Sequence, residues 1–140
     1  MITGIGHVAF RVRDIEKSRA FYCDGLGLRH AFDMEREGKL WIRFLYVGNH
    51  QYLELFPVAD AQPLDQAARP AYAHLQLTVD DMERTLAELA PRGIVPANPP
   101  RTGGDGNVQA WLTDPDGNRI ELMQMMPGCL HERAEARLGA

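Results

Sequence analysis

The chain has 140 residues, with 15 Lys and Arg against 19 Asp and Glu, and its formal net charge of −4 gives no electrostatic basis for binding nucleic acid or an anionic membrane. Its length suits one compact domain, and its 45% hydrophobic and 24% charged residues are typical of a soluble globular protein. The N-terminal MITGIGHVAF has no basic flank and no long apolar run, so we expect neither a signal peptide nor a transmembrane helix.

The first half of the chain predicts a strand, a helix and three more strands. GIGHVAFRV alternates as a strand does, and a helix follows with Asp14 as its N-cap and glycines 25 and 27 at its end. A weak strand pattern covers 29–35 and a firmer one covers 40–47. After the turn GNHQ, the last strand contains Glu54.

The second half repeats this order. It predicts a strand at 72–79, a helix from Asp80 or Asp81 to about Ala90, a loop rich in Gly, Pro and Asn at 96–107, and strands at 108–113 and 119–126 around the turn DPDGN. We therefore divide the chain into module one (1–57), a proline-containing linker (58–71), module two (72–126) and a charged tail (127–140) that forms at most a short surface helix.

A single offset of 67 residues relates the two halves. It places His7 on His74 and Glu54 on Glu121, and it also superimposes the helix-capping Asp14 on Asp81. Each half therefore carries a His and a Glu 47 positions apart, each within a strand pattern. In the last strand Glu121 lies between apolar neighbours, where a carboxylate is costly unless it has a partner.

Several stretches together resemble one known superfamily of proteins. GIGHVAFRVRDIEKSRAFYCDGLGL, YLELF, YAHLQLTVDD and DPDGNRIELMQ, spread over residues 4–126, resemble the vicinal oxygen chelate superfamily. That group includes glyoxalase I, methylmalonyl-CoA epimerase, extradiol dioxygenases, fosfomycin-resistance enzymes and bleomycin-binding proteins. The resemblance implies an α+β fold, in which two tandem βαβββ modules within one domain form a cupped mixed sheet around a metal site.

The resemblance also implies which residues bind the metal. The first strand of each module supplies His7 and His74, and the last supplies Glu54 and Glu121. Two neutral imidazoles and two carboxylates neutralise a divalent ion, and this mixed set suits Zn²⁺, Ni²⁺, Co²⁺, Mn²⁺ or Fe²⁺ without distinguishing among them. A metal ion would then be the partner that Glu121 requires.

The number of protein ligands favours one kind of chemistry. Extradiol dioxygenases of this superfamily use two His and one carboxylate, whereas here Glu54 fills the fourth position, as in glyoxalase I. The resemblance thus implies a lyase or isomerase that shifts a proton between adjacent carbons through a metal-stabilised enediolate, with Glu121, or else Glu54, as the base. The alternatives are a metal-dependent ring-cleaving dioxygenase and a non-catalytic binding protein of the bleomycin-resistance kind.

The substrate is less well defined by the sequence. Arg11 shares a strand face with His7 and matches an Arg that helps glyoxalase I hold glutathione, but Val58 stands where glyoxalase I has an Asn. An ion pair with a neighbouring Glu is the alternative role for Arg11. The residues expected to form the walls of the pocket, with ordinary sheet core as the alternative, are Phe44, Gln76, Trp111 and Met123.

Three further expectations complete the prediction. Relatives of this size commonly dimerise, so we expect a homodimer, in which each site is built from one chain or from two. The cysteines Cys23 and Cys129 lack metal-type spacing, which favours a reduced cytoplasmic protein over a disulfide. His30, His50 and His131 have no symmetric mates, so we expect them to be surface or turn residues.

Overall fold

The computed structural model describes residues 6–58 and 74–138. The chain divides into two compact units, Met1–Leu64 and Asp65–Ala140, called unit 1 and unit 2 below. Nearly all of the predicted linker and the start of the predicted strand 72–79 lie outside the described residues. Of the helices in the described residues, none has the length and apolar composition that a membrane span requires. Cys23 and Cys129 are both free thiols.

Unit 1 is a four-stranded mixed sheet with one helix. Its elements are β1 (His7–Val12), α1 (Ile15–Arg19), β2 (Arg29–Arg36), β3 (Lys39–Gly48) and β4 (Gln51–Pro57). The strand order is β1-β4-β3-β2, in which β1 and β4 run parallel and the other neighbours run antiparallel.

The helix of unit 1 begins where the sequence predicted it. The Asp14 side chain accepts hydrogen bonds from the backbone N–H groups of Glu16 and Lys17, at 3.1 and 3.0 Å, and so caps α1. The helix continues as a wider turn over Ala20–Gly25, and Leu26 N–H then donates to the Phe21 carbonyl five residues back.

Unit 2 repeats the same order with a shorter second strand. It contains β5 (Leu75–Val79), α2 (Met82–Leu89), β6 (Arg101–Thr102), β7 (Val108–Thr113), β8 (Arg119–Gln124) and α3 (Leu130–Leu138). The strand order is β5-β8-β7-β6, again with one parallel pair, β5 and β8. The predicted βαβββ order is confirmed in both units. The loop predicted at 96–107 contains the two-residue β6, and the tail forms α3.

The strand register confirms that the 67-residue repeat is structural. In unit 1, Glu54 lies between Ala9 on β1 and Phe44 on β3. In unit 2, Glu121 lies between Gln76 on β5 and Trp111 on β7. Each member of the first set becomes a member of the second when 67 is added to its number, so the duplication preserves the pairing of individual residues.

The core lies between each sheet and its own helix. Leu53 and Leu55 on β4 are buried on the face that contacts α1, as are Ile120 and Leu122 on the face that contacts α2. Burying each such side chain contributes about 1.5–3 kcal/mol to stability. Because side chains alternate along a strand, the residue between each pair points to the other face. These intervening residues are the glutamates of the repeat.

Candidate metal centre

In unit 1 the first and last strands bring His7 and Glu54 together. His7 lies beside Tyr52 and Glu54 lies beside Ala9, so the two residues are diagonal neighbours, two positions apart along the paired strands. The distance from His7 Nε2 to Glu54 Oε1 is 3.6 Å. The carboxylate is nearly buried while the His7 side chain is 55% exposed, so the imidazole is the accessible member of the pair.

Unit 2 contains the equivalent pair in a tighter form. His74 Nε2 lies 3.0 Å from Glu121 Oε2, which is within hydrogen-bonding distance. The side chain of Glu121 is 8% exposed and that of His74 is 34% exposed. Within the described residues, His74 is the polar partner of the Glu121 carboxylate, so the cost of burying this charge is met at least in part by the imidazole.

The donor spacing in both pairs fits shared coordination of a divalent ion. Two ligand atoms at about 2.0–2.2 Å from one ion lie roughly 2.8–3.6 Å apart at angles between octahedral and tetrahedral values. The observed separations of 3.0 and 3.6 Å fall within this range. Among the described residues no group of three or more His, Cys, Asp or Glu is placed to hold a metal ion, so each unit contributes a two-residue pair. The convergence of all four residues stays a prediction.

Trp111 flanks the pair in unit 2, opposite Glu121 on the neighbouring strand as the sequence predicted. Its ring meets the His74 ring edge-on, with centroids 4.9 Å apart, and the Arg119 guanidinium lies 4.2 Å from the Trp111 ring centroid. The indole nitrogen is buried and has no acceptor among the described residues. Trp111 therefore packs against one side of the His74 imidazole.

Gln76 and Met123 also lie beside Glu121. Gln76 is its neighbour on β5, and the Gln76 side-chain amide donates to the Thr78 hydroxyl at 3.2 Å. Met123 follows Glu121 on the same face of β8 and is buried, with its sulfur 3.5 Å from the side-chain nitrogen of Asn107. Both residues adjoin Glu121 and Met123 is buried, while their place in the wall of a substrate pocket stays a prediction.

Arg11 and Phe44 occupy the corresponding face of unit 1. Arg11 is exposed on β1, opposite Phe56, and forms no ion pair within the described part of the chain. Phe44 lies opposite Glu54, as the sequence predicted, and it stacks on Phe32 with ring centroids 4.4 Å apart. The role of Arg11 in substrate binding stays a prediction.

Sequence reasoning missed three aromatic residues on this face, namely Phe32, Tyr46 and Tyr52. Tyr52 and Tyr46 are cross-strand neighbours with ring centroids 5.4 Å apart. Phe32 on β2 lies opposite Phe44 on β3. The signal for the two tyrosines was present, because Phe44 and Tyr46 alternate on β3 as Tyr52 and Glu54 do on β4. Phe32 lacked such a signal because the register of β2 shifts between His30 and Phe32.

The strongest ion-pair network lies on the opposite face of unit 1. Arg43 forms a bidentate pair with Asp33 at 2.9 and 2.8 Å and also donates to Glu16 on α1 at 2.9 Å. The Arg43 guanidinium lowers the pKa of Asp33 to about 2, chiefly through these hydrogen bonds. This network joins the helix to the sheet and takes no part in the candidate centre.

The three remaining histidines are surface or turn residues, as predicted. His30 is exposed and contacts Asp33 at 2.8 Å. His50 occupies the turn between β3 and β4 with a positive φ of 61°. His131 is exposed on α3, and its Nδ1 lies 2.9 Å from the side-chain nitrogen of Asn107.

Comparison with known proteins places the chain in a family. A family model described as the Glyoxalase/Bleomycin resistance protein/Dioxygenase superfamily matches residues 4–122, and the chain belongs to that superfamily. The predicted resemblance is thus confirmed, and with it the α+β fold of two βαβββ modules. The helix α3 lies beyond the matched region.

Several relatives of the chain are named as lactoylglutathione lyases or probable lactoylglutathione lyases. A probable lactoylglutathione lyase of Vibrio cholerae is 35% identical over 127 residues, covering 84% of this chain and 88% of that protein. A probable chloroplastic lactoylglutathione lyase of Arabidopsis thaliana is 32% identical over 86% of this chain, which spans 35% of the plant protein. The crystal structure of a glyoxalase family protein from Enterococcus faecalis matches with a TM-score of 0.76 at 27% identity, covering 86% of this chain and 97% of that one.

Proposed function

We propose that the protein is a divalent-metal-dependent lyase or isomerase of the glyoxalase I type. It moves a proton between adjacent carbons of an α-hydroxycarbonyl or thioester-like substrate. The observation that carries this proposal is the repetition of one buried glutamate beside one histidine at equivalent positions of both units, at 3.6 and 3.0 Å. The relatives named lactoylglutathione lyase support the same type of reaction.

His7, His74, Glu54 and Glu121 would together hold the ion. The two imidazole nitrogens and two carboxylates suit Zn²⁺, Ni²⁺, Co²⁺, Mn²⁺ or Fe²⁺, and the two negative charges balance a divalent cation. When bound, the ion would supply Lewis-acid polarisation of a substrate carbonyl. The donor spacing within each pair supports this assignment.

Glu121 is the proposed proton carrier, with Glu54 as the alternative. Its Oε2 lies 3.0 Å from His74 Nε2, a spacing that suits two donors to one ion, so Oε1 would be left to receive the proton from one carbon and return it to the next. Trp111 and Met123 cover the flanks of Glu121 and limit its contact with water. Glu54 lies 3.6 Å from its histidine and is less firmly held.

Arg11 is the proposed anchor for an anionic group of the substrate. It is exposed, shares the His7 face of β1, and has no carboxylate partner among the described residues. Val58 removes one anchor expected for glutathione, so the substrate we propose is a small molecule that need not be a glutathione adduct. With its free thiols the enzyme would act in a reducing compartment such as the cytoplasm, as a homodimer.

One experiment tests the proposal as a whole. Metal content is measured in the purified full-length protein, and isomerisation of hemithioacetals, formed from methylglyoxal with glutathione or with simpler thiols, is followed before and after chelation. We expect a bound divalent ion and an activity that chelation abolishes and metal restores. Oxygen uptake with catechols in place of isomerisation would favour the ring-cleaving alternative, and metal-free ligand binding would favour the bleomycin-resistance kind.

A further inference from the structure

A cluster of aromatic side chains adjoins the His7–Glu54 pair in unit 1. One row across the sheet runs from Ala9 through Glu54 and Phe44 to Phe32, each opposite the next on a neighbouring strand. The adjacent row runs from His7 through Tyr52 and Tyr46 to Arg29 in the same way. His7 therefore stands at the end of one row and Glu54 is second in the other, and the aromatic rings follow both directly.

The rings of this cluster contact one another. Phe32 and Phe44 are stacked with centroids 4.4 Å apart and planes inclined by 19°. Tyr52 meets both of them edge-on at 6.4 Å. Arg29 closes the second row, with its guanidinium 4.9 Å from the Tyr46 ring centroid. We call Phe32, Phe44, Tyr46 and Tyr52 the aromatic platform.

The platform remains open although it is apolar. Phe32 is 46% exposed, and every residue of β2 is exposed, so unit 1 itself leaves the outer end of the platform uncovered. An exposed cluster of aromatic rings next to a buried carboxylate indicates a binding surface. Ala9, the small residue on the other side of Glu54, adds no bulk there.

Among the described residues of unit 2 there is no equivalent platform, although the strand register is the same. The positions that match Tyr46 and Tyr52 under the 67-residue offset are Thr113 and Arg119, and the position that matches Ala9 is Gln76. Only Trp111 provides a ring, and Arg119 covers it at 4.2 Å. The two units thus contain similar His–Glu pairs, but the surrounding face is aromatic in unit 1 and polar in unit 2.

We infer that the substrate carries a flat aromatic group, and that this group packs against the stacked pair of Phe32 and Phe44 while its vicinal oxygens lie at the His7–Glu54 pair. The second part of this inference rests on the proposed function, whereas the first concerns the platform alone. A flat ring is favoured over an aliphatic group of equal size because stacked and edge-on ring contacts add attraction beyond the burial of apolar area.

The test compares two probes with the same charge and the same pair of vicinal oxygens. Phenylglyoxylate carries a flat ring and cyclohexylglyoxylate carries a puckered one. Their affinities are measured by NMR titration of the full-length protein, both metal-free and loaded with Zn²⁺. We expect phenylglyoxylate to bind roughly three- to tenfold more tightly in both forms, as expected for the gain from one or two ring contacts.

Substitutions of Phe32 test whether this side chain causes the preference for the flat ring. Phe32→Ala and the more conservative Phe32→Leu should abolish the preference for the flat ring, and Phe32→Tyr should keep it. Trp41→Ala is the matched control, because Trp41 is 41% exposed on β3 beside Arg36 and lies outside the platform. A preference that disappears equally in Trp41→Ala, or that survives both Phe32→Ala and Phe32→Leu, would overturn the inference.

Other outcomes also decide the question. Equal binding of the two probes, or binding of neither, would refute an aromatic substrate. Loss of a dimer in Phe32→Ala, seen by light scattering, would show that a second copy of the chain covers the platform, which would equally refute it. If the assignment of the metal ligands is wrong, the metal-free protein should still prefer the flat ring. Each proposal can therefore fail without the other.

Discussion

His74 Nε2 lies 3.0 Å from Glu121 Oε2, although 47 residues separate the two in the chain. They meet because β5 and β8 are parallel neighbours in the sheet of unit 2. The apolar side chains on either side of Glu121 on β8, Ile120 and Leu122, are buried on the opposite face. The carboxylate is therefore held away from the hydrophobic core and beside an imidazole.

The first prediction concerns metal affinity. His74→Ala removes one of four proposed ligands and should weaken Zn²⁺ binding by at least about tenfold, since even changes to groups that only support ligands cost 10- to 100-fold. His50→Ala, in the turn between β3 and β4, is the matched control and should bind as the unaltered protein does. Calorimetric titration of the full-length protein measures both. Unchanged affinity in His74→Ala would contradict the proposed ligand set.

The second prediction concerns the proton carrier. Glu121→Gln keeps an oxygen donor but removes the base, so we expect most of the metal to remain and turnover to fall by roughly 10²–10⁴-fold. Glu88→Gln, on the exposed side of α2, should leave turnover unchanged. In solvent deuterium the label should appear at the product carbon unless the carboxylate returns the same proton. Full activity in Glu121→Gln, with loss in Glu54→Gln, would transfer the role to Glu54.

The third prediction concerns stability in acid. Arg43 lowers the pKa of Asp33 in the folded protein to about 2 from 3.8, so this pair stabilises the fold above pH 4 and its contribution is lost as the pH falls towards 2. Asp33→Asn should reduce the free energy of unfolding at pH 7 by about 1 kcal/mol, because solvent screens a pair at the surface.

The pH dependence of stability and a control variant link the acid effect to the Asp33–Arg43 pair. Asp33→Asn should also flatten the loss of stability between pH 4 and 2, as measured by urea unfolding at each pH. Glu35→Gln on the same strand is the control, because Glu35 forms no ion pair within the described residues. If Asp33→Asn and the unaltered protein lose stability in parallel below pH 4, the Arg43 pair is not the cause.

The sequence predicted those features that depend on local pattern and on the repeat. The alternation of Ile120, Glu121 and Leu122 assigned Glu121 to the face opposite its two neighbours, and the 67-residue offset extended that assignment to Glu54. The same offset correctly placed Trp111 and Phe44 opposite the two glutamates. These inferences succeeded because strand register is preserved between the halves.

Phe32 could not be placed in this way. An extra residue on β2 between His30 and Phe32 shifts the register, so His30 lies opposite Leu45 and Phe32 lies opposite Phe44. The two residues therefore point to opposite faces although they are two apart, which strict alternation does not allow. The contacts of α3 with the loop before β7 were equally hidden, since they join Asp105 and Asn107 to Leu130 and His131, which lie far along the chain and share no strand pattern with them.

The fourth prediction concerns assembly. We expect a homodimer, since β2 is the edge strand of the unit 1 sheet and is exposed along its whole length. Light scattering at micromolar concentration should give about twice the 15.7 kDa chain mass. A monomer under these conditions would contradict the prediction. Mixing His7→Ala with His74→Ala chains then tests whether sites are shared, because only a site built from two chains can recover activity in the mixed dimer.

The last prediction concerns Asn107, which is fully buried and joins α3 to the sheet. Its side-chain nitrogen lies 2.9 Å from both Asp105 Oδ2 and His131 Nδ1, and its side-chain oxygen accepts from Met126 N–H at 3.1 Å. Asn107→Ala leaves several of these partners unsatisfied, so it should lower the free energy of unfolding by about 2–3 kcal/mol.

The same substitution should release α3 before the sheet unfolds. Hydrogen exchange of α3 amides should accelerate in Asn107→Ala, while that of β4 in unit 1 should change only as global stability does. Asn98→Ala, in the exposed loop before β6, is the matched control and should alter neither quantity. Because the Asn107 side chain also contacts Met123, two residues from Glu121 on the same face, turnover should fall together with α3 protection. Unchanged exchange of α3 in Asn107→Ala would show that Cys129 and the turn before it hold the helix without the asparagine.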